Sequence, residues 1–431
     1  MKIQTLPFMP ADILLPKNCP MPLWSVVACD QYTSQPEYWE RVEQNVGEAY
    51  STLRMVLPES YLKETDVETR IMEIDQTMIR YLQEGVFQKY PDSLIYVERS
   101  LSNGKLRRGL IGKVDLEQYD YRPNSGAMIR ATEKTVIERI PPRVKVRKNA
   151  PLEFPHILLL MDDVERSVVE PLGKRSGEME LLYDFELMEN GGRVRGWLLT
   201  EEHKVQVAQA LEKLSDSETF NRKYGTEDMP VMLFAVGDGN HSLATAKECY
   251  EQEKQRTKPE QWPDLLSRYA LVELGNLHDE SLEFEPIHRV VMGTEPEKLL
   301  KDLCEQLPGA HIGEGEGHRF RYCYAGQQGT ITIANPEYQL PVAALQNFLD
   351  AWLQEHTQAE MDYIHGEEVA VELAEKPQSI AFLLPVMEKR ELFPTVIRDG
   401  VLPRKTFSMG EAQDKRFYLE GRCIQNRYDY D

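Results

Sequence analysis

Residues 237–242, Gly-Asp-Gly-Asn-His-Ser, gather two glycines, a carboxylate, an amide, an imidazole and a hydroxyl. An apolar run, residues 231–236 (VMLFAV), precedes them, and Leu243, Ala246, Cys249 and Tyr250 follow at spacings that share one helix face. Strand, glycine loop and helix in that order form a ready place for an anion. The first helical amides have no intrahelical acceptor, and the helix dipole favours negative charge there. Glycines let the backbone come close to phosphate oxygens. The expected helix covers residues 241–254, with Asp238 or Asn240 as its N-cap and Ser242 inside the first turn. An exposed helix end contributes only about 0.3–1 kcal/mol to holding a charge. A firmly bound anion therefore needs further cations or a metal. The plainer alternative is a turn, since Asp-Gly and Asn are ordinary turn and cap residues.

Further cations are at hand. The chain carries a net charge of −21, yet residues 130–148 (RATEKTVIERIPPRVKVRK) hold seven Lys or Arg against Glu133 and Glu138. A basic island in an acidic chain suits a small anion, and the overall charge argues against nucleic acid or an anionic membrane as partner. Six scattered cysteines show neither CxxC nor Cys/His metal spacing. No apolar run reaches the roughly 20 residues of a membrane span, and the N-terminus lacks the layout of a signal peptide, so a cytoplasmic protein is expected. The glycine knot is not a P-loop, because no lysine follows it, and Ser242 stands where GxGxxG has its third glycine. No GxSxG elbow occurs, and residues 365–368 lack the second histidine of HExxH.

The elements that must position these groups read as a mixture. Residues 23–28 (LWSVVA) are expected as a strand, followed by a helix from Pro36. Residues 66–84 repeat Val67, Ile71, Ile74, Met78 and Leu82 at helical spacing. Asn103-Gly104 joins residues 93–101 to 105–114 as a hairpin. Pro141-Pro142 argues against a helix in the basic island. Residues 156–161 read as a strand with a short helix from Asp162, and 179–189 with 193–199 as a second hairpin. A helix at 201–215 and a strand at 269–274 follow. The last third gives helices at 295–307 and 342–354, a strand pair at 319–324 and 330–334, and a strand at 379–384. The pattern predicts α+β, mixed sheets with hairpins and flanking helices, in three parts: 1–150, 151–290 and 291–431.

Four blocks, in order, resemble a bacterial family catalogued as a domain of unknown function, number ten-fifteen. Residues 236–246 (VGDGNHSLATA) are similar to its Asp-Gly-His-His-Arg block, and residues 285–291 (EPIHRVV) to its Pro-x-His-Arg stretch. Residues 130–135 with Pro-Pro-Arg at 141–143 resemble its His-Glu-x-Thr and Pro-Lys-Glu-Asp-Arg stretch. Residues 398–400 and 403–407 resemble its Met-Pro-x-Lys-Ser-Thr-x-Phe. The central block in turn resembles the phosphate-gripping turn of the ParB/sulfiredoxin superfamily, which includes free-serine kinases and CTP-binding switches. The resemblance implies a nucleotide-binding core of that kind, with nucleotide or phosphate bound near Gly237–Ser242 and phosphoryl transfer as the finer reading. Departures mark a divergent subgroup: His241 is kept, but Asn240, Ser242 and Thr132 stand for a histidine, an arginine and a histidine.

Under that resemblance, Gly237, Gly239, Asn240 and Ser242 hold the ligand with Lys134, Thr135, Arg143, His288, Arg289, Lys405 and Thr406. His241, Asp238 and Glu133 take the proton-handling roles, and Asp238 or Asp30 binds Mg²⁺. Phosphoryl transfer needs charge neutralisation and positioning above all, which is why cations and carboxylates matter here. The expected partner is a phosphate-containing small molecule, with a Mg²⁺-dependent phosphotransferase acting on a small hydroxylated metabolite as the leading activity. A non-catalytic nucleotide switch and an interaction protein are the alternatives.

Overall fold

The computed structural model describes residues 6–62, 64–135 and 140–428. The chain divides into two units, Met1–Leu282 with Glu411–Asp431, and Glu283–Gly410. Both are α+β, as the alternation of hairpins and helices predicts.

The first unit is built on a ten-stranded mixed sheet. Ile95–Ser100 and Leu106–Asp115 form the expected hairpin, with Tyr96 opposite Leu110 and Gly104 at φ 77°. Glu180–Glu186 and Arg193–Leu198 form the second hairpin, which extends the sheet beside Ile95–Ser100. At the centre lies Leu158–Met161, parallel to Tyr269–Asn276 and antiparallel to Phe234–Asp238. All four residues of this strand are buried. A continuous apolar run is what a strand covered on both faces requires. Ile129–Arg130 runs parallel to Phe234–Ala235, which brings the start of the basic island beside the glycine knot.

Three local expectations are corrected. Residues 23–28 are not one strand: Met21–Trp24 is a helical turn opened by Pro20 and Pro22, and only Val26–Val27 pairs as a strand, with Phe417–Tyr418. The basic island does contain a helix, Ile140–Arg147. Pro141 and Pro142 occupy its first turn, where a missing N–H costs no helical bond. Lys145 and Arg147 fall in its last turn, on the favourable end of the dipole. Glu138 and Arg139 of that island lie outside the described residues. Finally, no helix starts at Asp162. The buried Asp163 carboxylate accepts the N–H groups of Ser167 (2.6 Å) and Val168 (3.0 Å), forming a carboxylate-anchored turn, and the helix begins only at Glu170.

The second unit holds a seven-stranded antiparallel sheet. His318–Tyr324 and Gln327–Ile333 pair as expected, and Ser379–Leu383 lies between His318–Tyr324 and Phe284–Met292. Pro296–Gln306 and Pro341–Glu355 are the two helices the periodicity predicts.

Candidate functional site

The knot folds as strand Phe234–Asp238, then Gly239, then helix Asn240–Lys254. Neither Asp238 nor Asn240 caps the helix. Gly239 is the N-cap, at φ 80°, and makes no side-chain cap bond. Asp238 accepts the Gly239 N–H at 2.8 Å instead. Asn240 turns to Thr132, accepting its N–H and donating to its hydroxyl, both at 3.2 Å. Thr132 Oγ1 then donates to the Val236 carbonyl at 2.7 Å. Thr132 and Asn240 thus bond each other. A Cβ on Gly239 would lie 3.1 Å from Ile157 Cα and Cγ1. With the left-handed backbone added, Gly239→Ala is expected to destabilise the larger unit by about 1–2 kcal/mol. Urea unfolding of the variant measures this.

Ser242, in the first turn, faces a histidine that sequence reasoning missed. Its hydroxyl lies 3.2 Å from His156 Nε2. The buried His156 places Nδ1 2.9 Å from the Tyr418 hydroxyl. Tyr418 in turn donates to Cys29 Sγ at 3.0 Å and accepts the Cys29 N–H at 3.1 Å. His156 thus bridges the Tyr418 and Ser242 hydroxyls through its two ring nitrogens. Asp30 Oδ2 stands 3.7 Å from the same Nε2. Hydroxyl and carboxylate on one ring nitrogen is not the Ser-His-Asp relay, which needs them on opposite nitrogens.

The titrating groups are held in quiet states. Burial pushes the Asp238 carboxyl up, but Lys415 at 3.1 Å, the field of His156 and the Gly239 N–H outweigh it and hold it below the usual range. Burial, with the charge of Asp30, pushes the Cys29 thiol up to about 12, so it is no nucleophile. Burial and the same neighbours raise the Tyr418 phenol well above its ordinary value.

A cavity of about 160 Å³ opens here. Its polar lining is Cys29, Glu59, Arg143, His156, Ser242 and Tyr418, and Met55, Leu57, Met78 and Phe154 are among the apolar residues that make up most of the wall. Arg143 comes from the helix Ile140–Arg147, which packs Ile140 and Val144 against Ala244, and it is ion-paired with Glu59. Lys134 is exposed and Glu133 half-buried, while Thr135 is buried with its hydroxyl unpartnered. Asp30 already accepts from Gln31 at 3.0 Å and Asp238 is bound to Lys415. Among the described residues no third ligating side chain joins either carboxylate. They do not compose a Mg²⁺ site by themselves; such an ion would need the ligand's phosphates.

The remaining candidates lie in the second unit. Arg289 is fully buried and donates to Gln346 Oε1 (2.9 Å), to the Lys405 and Arg404 carbonyls (3.0 and 3.1 Å) and to the Ile287 carbonyl. It therefore ties two family-like blocks together through backbone carbonyls. His288 accepts the Leu384 N–H on Nδ1, and burial lowers its pKa, so it is a neutral acceptor. Lys405 lies over the Tyr363 ring, and Thr406 Oγ1 donates to the Pro403 carbonyl at 2.7 Å. Of the missed residues, His156 had one signal: a lone imidazole directly before the apolar run of a central strand. Lys415 and Tyr418 had none.

Fold and knot define an α+β protein whose central strand–glycine–helix turn places Ser242 on a mainly apolar cavity that also holds Arg143 and His156. The chain belongs to the family described as "Protein of unknown function (DUF1015)", whose sequence model matches residues 10–352. No curated protein matches the sequence. Among solved structures, a free serine kinase in complex with AMP is 11% identical, covering 73% of this chain and 91% of its own, with a TM-score of 0.38. A conserved hypothetical protein from Pyrococcus furiosus is 12% identical, covering 73% and 94%, with a TM-score of 0.36. SbnI from Staphylococcus aureus, truncated at its C-terminus, is 9% identical, covering 73% and 85%, also at 0.36. At these scores the likenesses carry no ligand or activity over to this chain.

Proposed function

We propose that the protein binds a nucleotide or another phosphorylated small molecule at the start of the helix Asn240–Lys254. The observation that carries this reading is convergence: Ser242 in the first turn of that helix and Arg143 from a neighbouring helix line one cavity. Backbone donors, a hydroxyl and a guanidinium together answer the need for more than a helix dipole. At about 160 Å³ the cavity is smaller than usual ligand pockets of roughly 300 Å³ or more, so it would enclose the phosphorylated end and leave the rest outside.

The finer reading is phosphoryl transfer to a small hydroxylated metabolite. His156 and His241 would be the proton-handling groups, Glu133 a further carboxylate, and Mg²⁺ would enter with the phosphates. A non-catalytic switch is the second reading, favoured by the Asp238–Lys415 pair, which leaves that carboxylate neutralised rather than poised as a base. A thermal-unfolding panel with AMP, ADP and ATP, with and without Mg²⁺, tests the binding. A ligand at 100 times its Kd is expected to add about 2.7 kcal/mol, and Arg143→Ala to weaken binding about tenfold, which is 1.4 kcal/mol. No shift with any of the three overturns the proposal. Phosphorus NMR separates the two readings: a new phosphomonoester signal supports transfer, and binding without one supports the switch.

A further inference from the structure

The helix Asn240–Lys254 has a second cavity at its other end, about 410 Å³ in volume and also in the first unit. Fifteen helical residues span about 22 Å, so this is a place apart from Ser242. In a chain of net charge −21, Arg147, Lys148, Arg256 and Arg427 line it against one carboxylate, Glu253.

Arg147 is engaged by Glu153 at 2.5 Å. Lys148, Arg256 and Arg427 make no ion pair among the described residues. Arg427 donates Nε to Gln425 Oε1 at 2.8 Å and influences Asp75 without pairing with it. Ser267, in the same wall, has a buried hydroxyl with no hydrogen-bond partner.

Two helix ends account for part of this charge. Ile140–Arg147 and Asn240–Lys254 both finish here, each equivalent to roughly half a negative charge at its C-terminus. Among the described lining residues, three cations without an ion pair exceed the sum of those ends and Glu253, so the lining is net positive. Unpaired like charges around one cavity repel one another, and a multivalent anion relieves that repulsion. Two guanidinium forks match the oxygens of phosphoryl groups better than point charges would. Ser267 supplies a neutral donor.

We propose that this cavity is a second ligand site, taking a small anion with two phosphoryl groups. It is independent of the reading of the Ser242 cavity.

Titration calorimetry of the full chain with inorganic pyrophosphate tests it, with citrate as a carboxylate control. The expected result is a pyrophosphate binding event that Arg256→Gln with Arg427→Gln weakens at least tenfold. Ser242→Ala leaves that event in place. Both arginines are exposed, so the double variant should unfold at the wild-type temperature, which circular dichroism checks. A double variant that binds pyrophosphate like the wild type overturns the proposal. So does an event that Ser242→Ala removes instead, or citrate binding as tightly as pyrophosphate.

Discussion

Arg416→Met is expected to destabilise the larger unit by about 3–5 kcal/mol, among the largest effects any single substitution can have in this chain. Arg416 is buried and ion-paired with Glu273 and Glu420, themselves 2% and 1% exposed, and its Nε donates to the Pro155 carbonyl at 3.3 Å. Methionine fills much of the volume but leaves both carboxylates short of charge. Glu420 would keep only the Tyr183 hydroxyl, and Glu273 would depend on Arg107 at 3.5 Å. Arg99, already pushed down to about 9 by burial and the neighbouring Arg107, cannot easily take over, because its donors go to the carbonyls of Gly191, Gln413 and Lys415. Urea unfolding read by tryptophan fluorescence should show the loss. Adding Glu273→Gln and Glu420→Gln should recover a large part of it, since a broken buried pair costs more than an absent one. A loss under 1 kcal/mol for Arg416→Met would mean that water reaches these carboxylates.

The second large effect belongs to Arg289. Arg289→Met removes the donor from the carbonyls of Ile287, Arg404 and Lys405 and from Gln346 in a fully buried place. The buried Gln346 acceptor left bare costs about 1–3 kcal/mol, and the three part-buried carbonyls add less each. A total of about 3 kcal/mol or more is expected in the unfolding of Glu283–Gly410. Arg289→Lys should rescue little, because one ammonium cannot reproduce a planar fork. This variant also separates two roles for the residue. A ligand contact would lose nucleotide affinity while keeping stability. The geometry predicts the reverse: clear destabilisation, with the nucleotide-dependent thermal shift preserved in the part of the chain that holds Ser242.

Much of the framework was legible where local chemistry decides it. Asn103-Gly104 announced its hairpin because that dipeptide accepts positive φ, and Leu158–Met161 announced a buried strand by being apolar throughout. The knot was legible as strand, turn and helix, but not the identity of the cap. Asn240 looks like an N-cap in sequence and is instead claimed by Thr132, more than a hundred positions earlier. The helix Ile140–Arg147 was missed because two prolines read as a barrier when taken without their position; in a first turn they are not one. His156, Lys415 and Tyr418 meet the knot only through strand pairings and side-chain bonds that span large separations, such as Val26–Val27 with Phe417–Tyr418. No local pattern encodes such a meeting. Arg289 is a different case: residue type suggested a ligand contact, and the structure shows a buried guanidinium bonded to backbone carbonyls and Gln346.

The return of Glu411–Asp431 to the first unit has a consequence for how the protein is made. Trp24 Nε1 donates to the Leu419 carbonyl at 3.0 Å, Ser25 Oγ to the Tyr418 carbonyl at 2.8 Å, and Arg416 carries the ion pairs already described. None of these partners exists while the ribosome is still translating Glu283–Gly410. At the usual rate of about 5–20 residues per second that stretch takes on the order of ten seconds. Throughout that interval the nascent first unit holds Glu273 without its arginine and Trp24 without its acceptor. The pairing of Phe417–Tyr418 with Val26–Val27, and with it the Tyr418 side of the cavity at Ser242, can close only once residues 411–431 have been made.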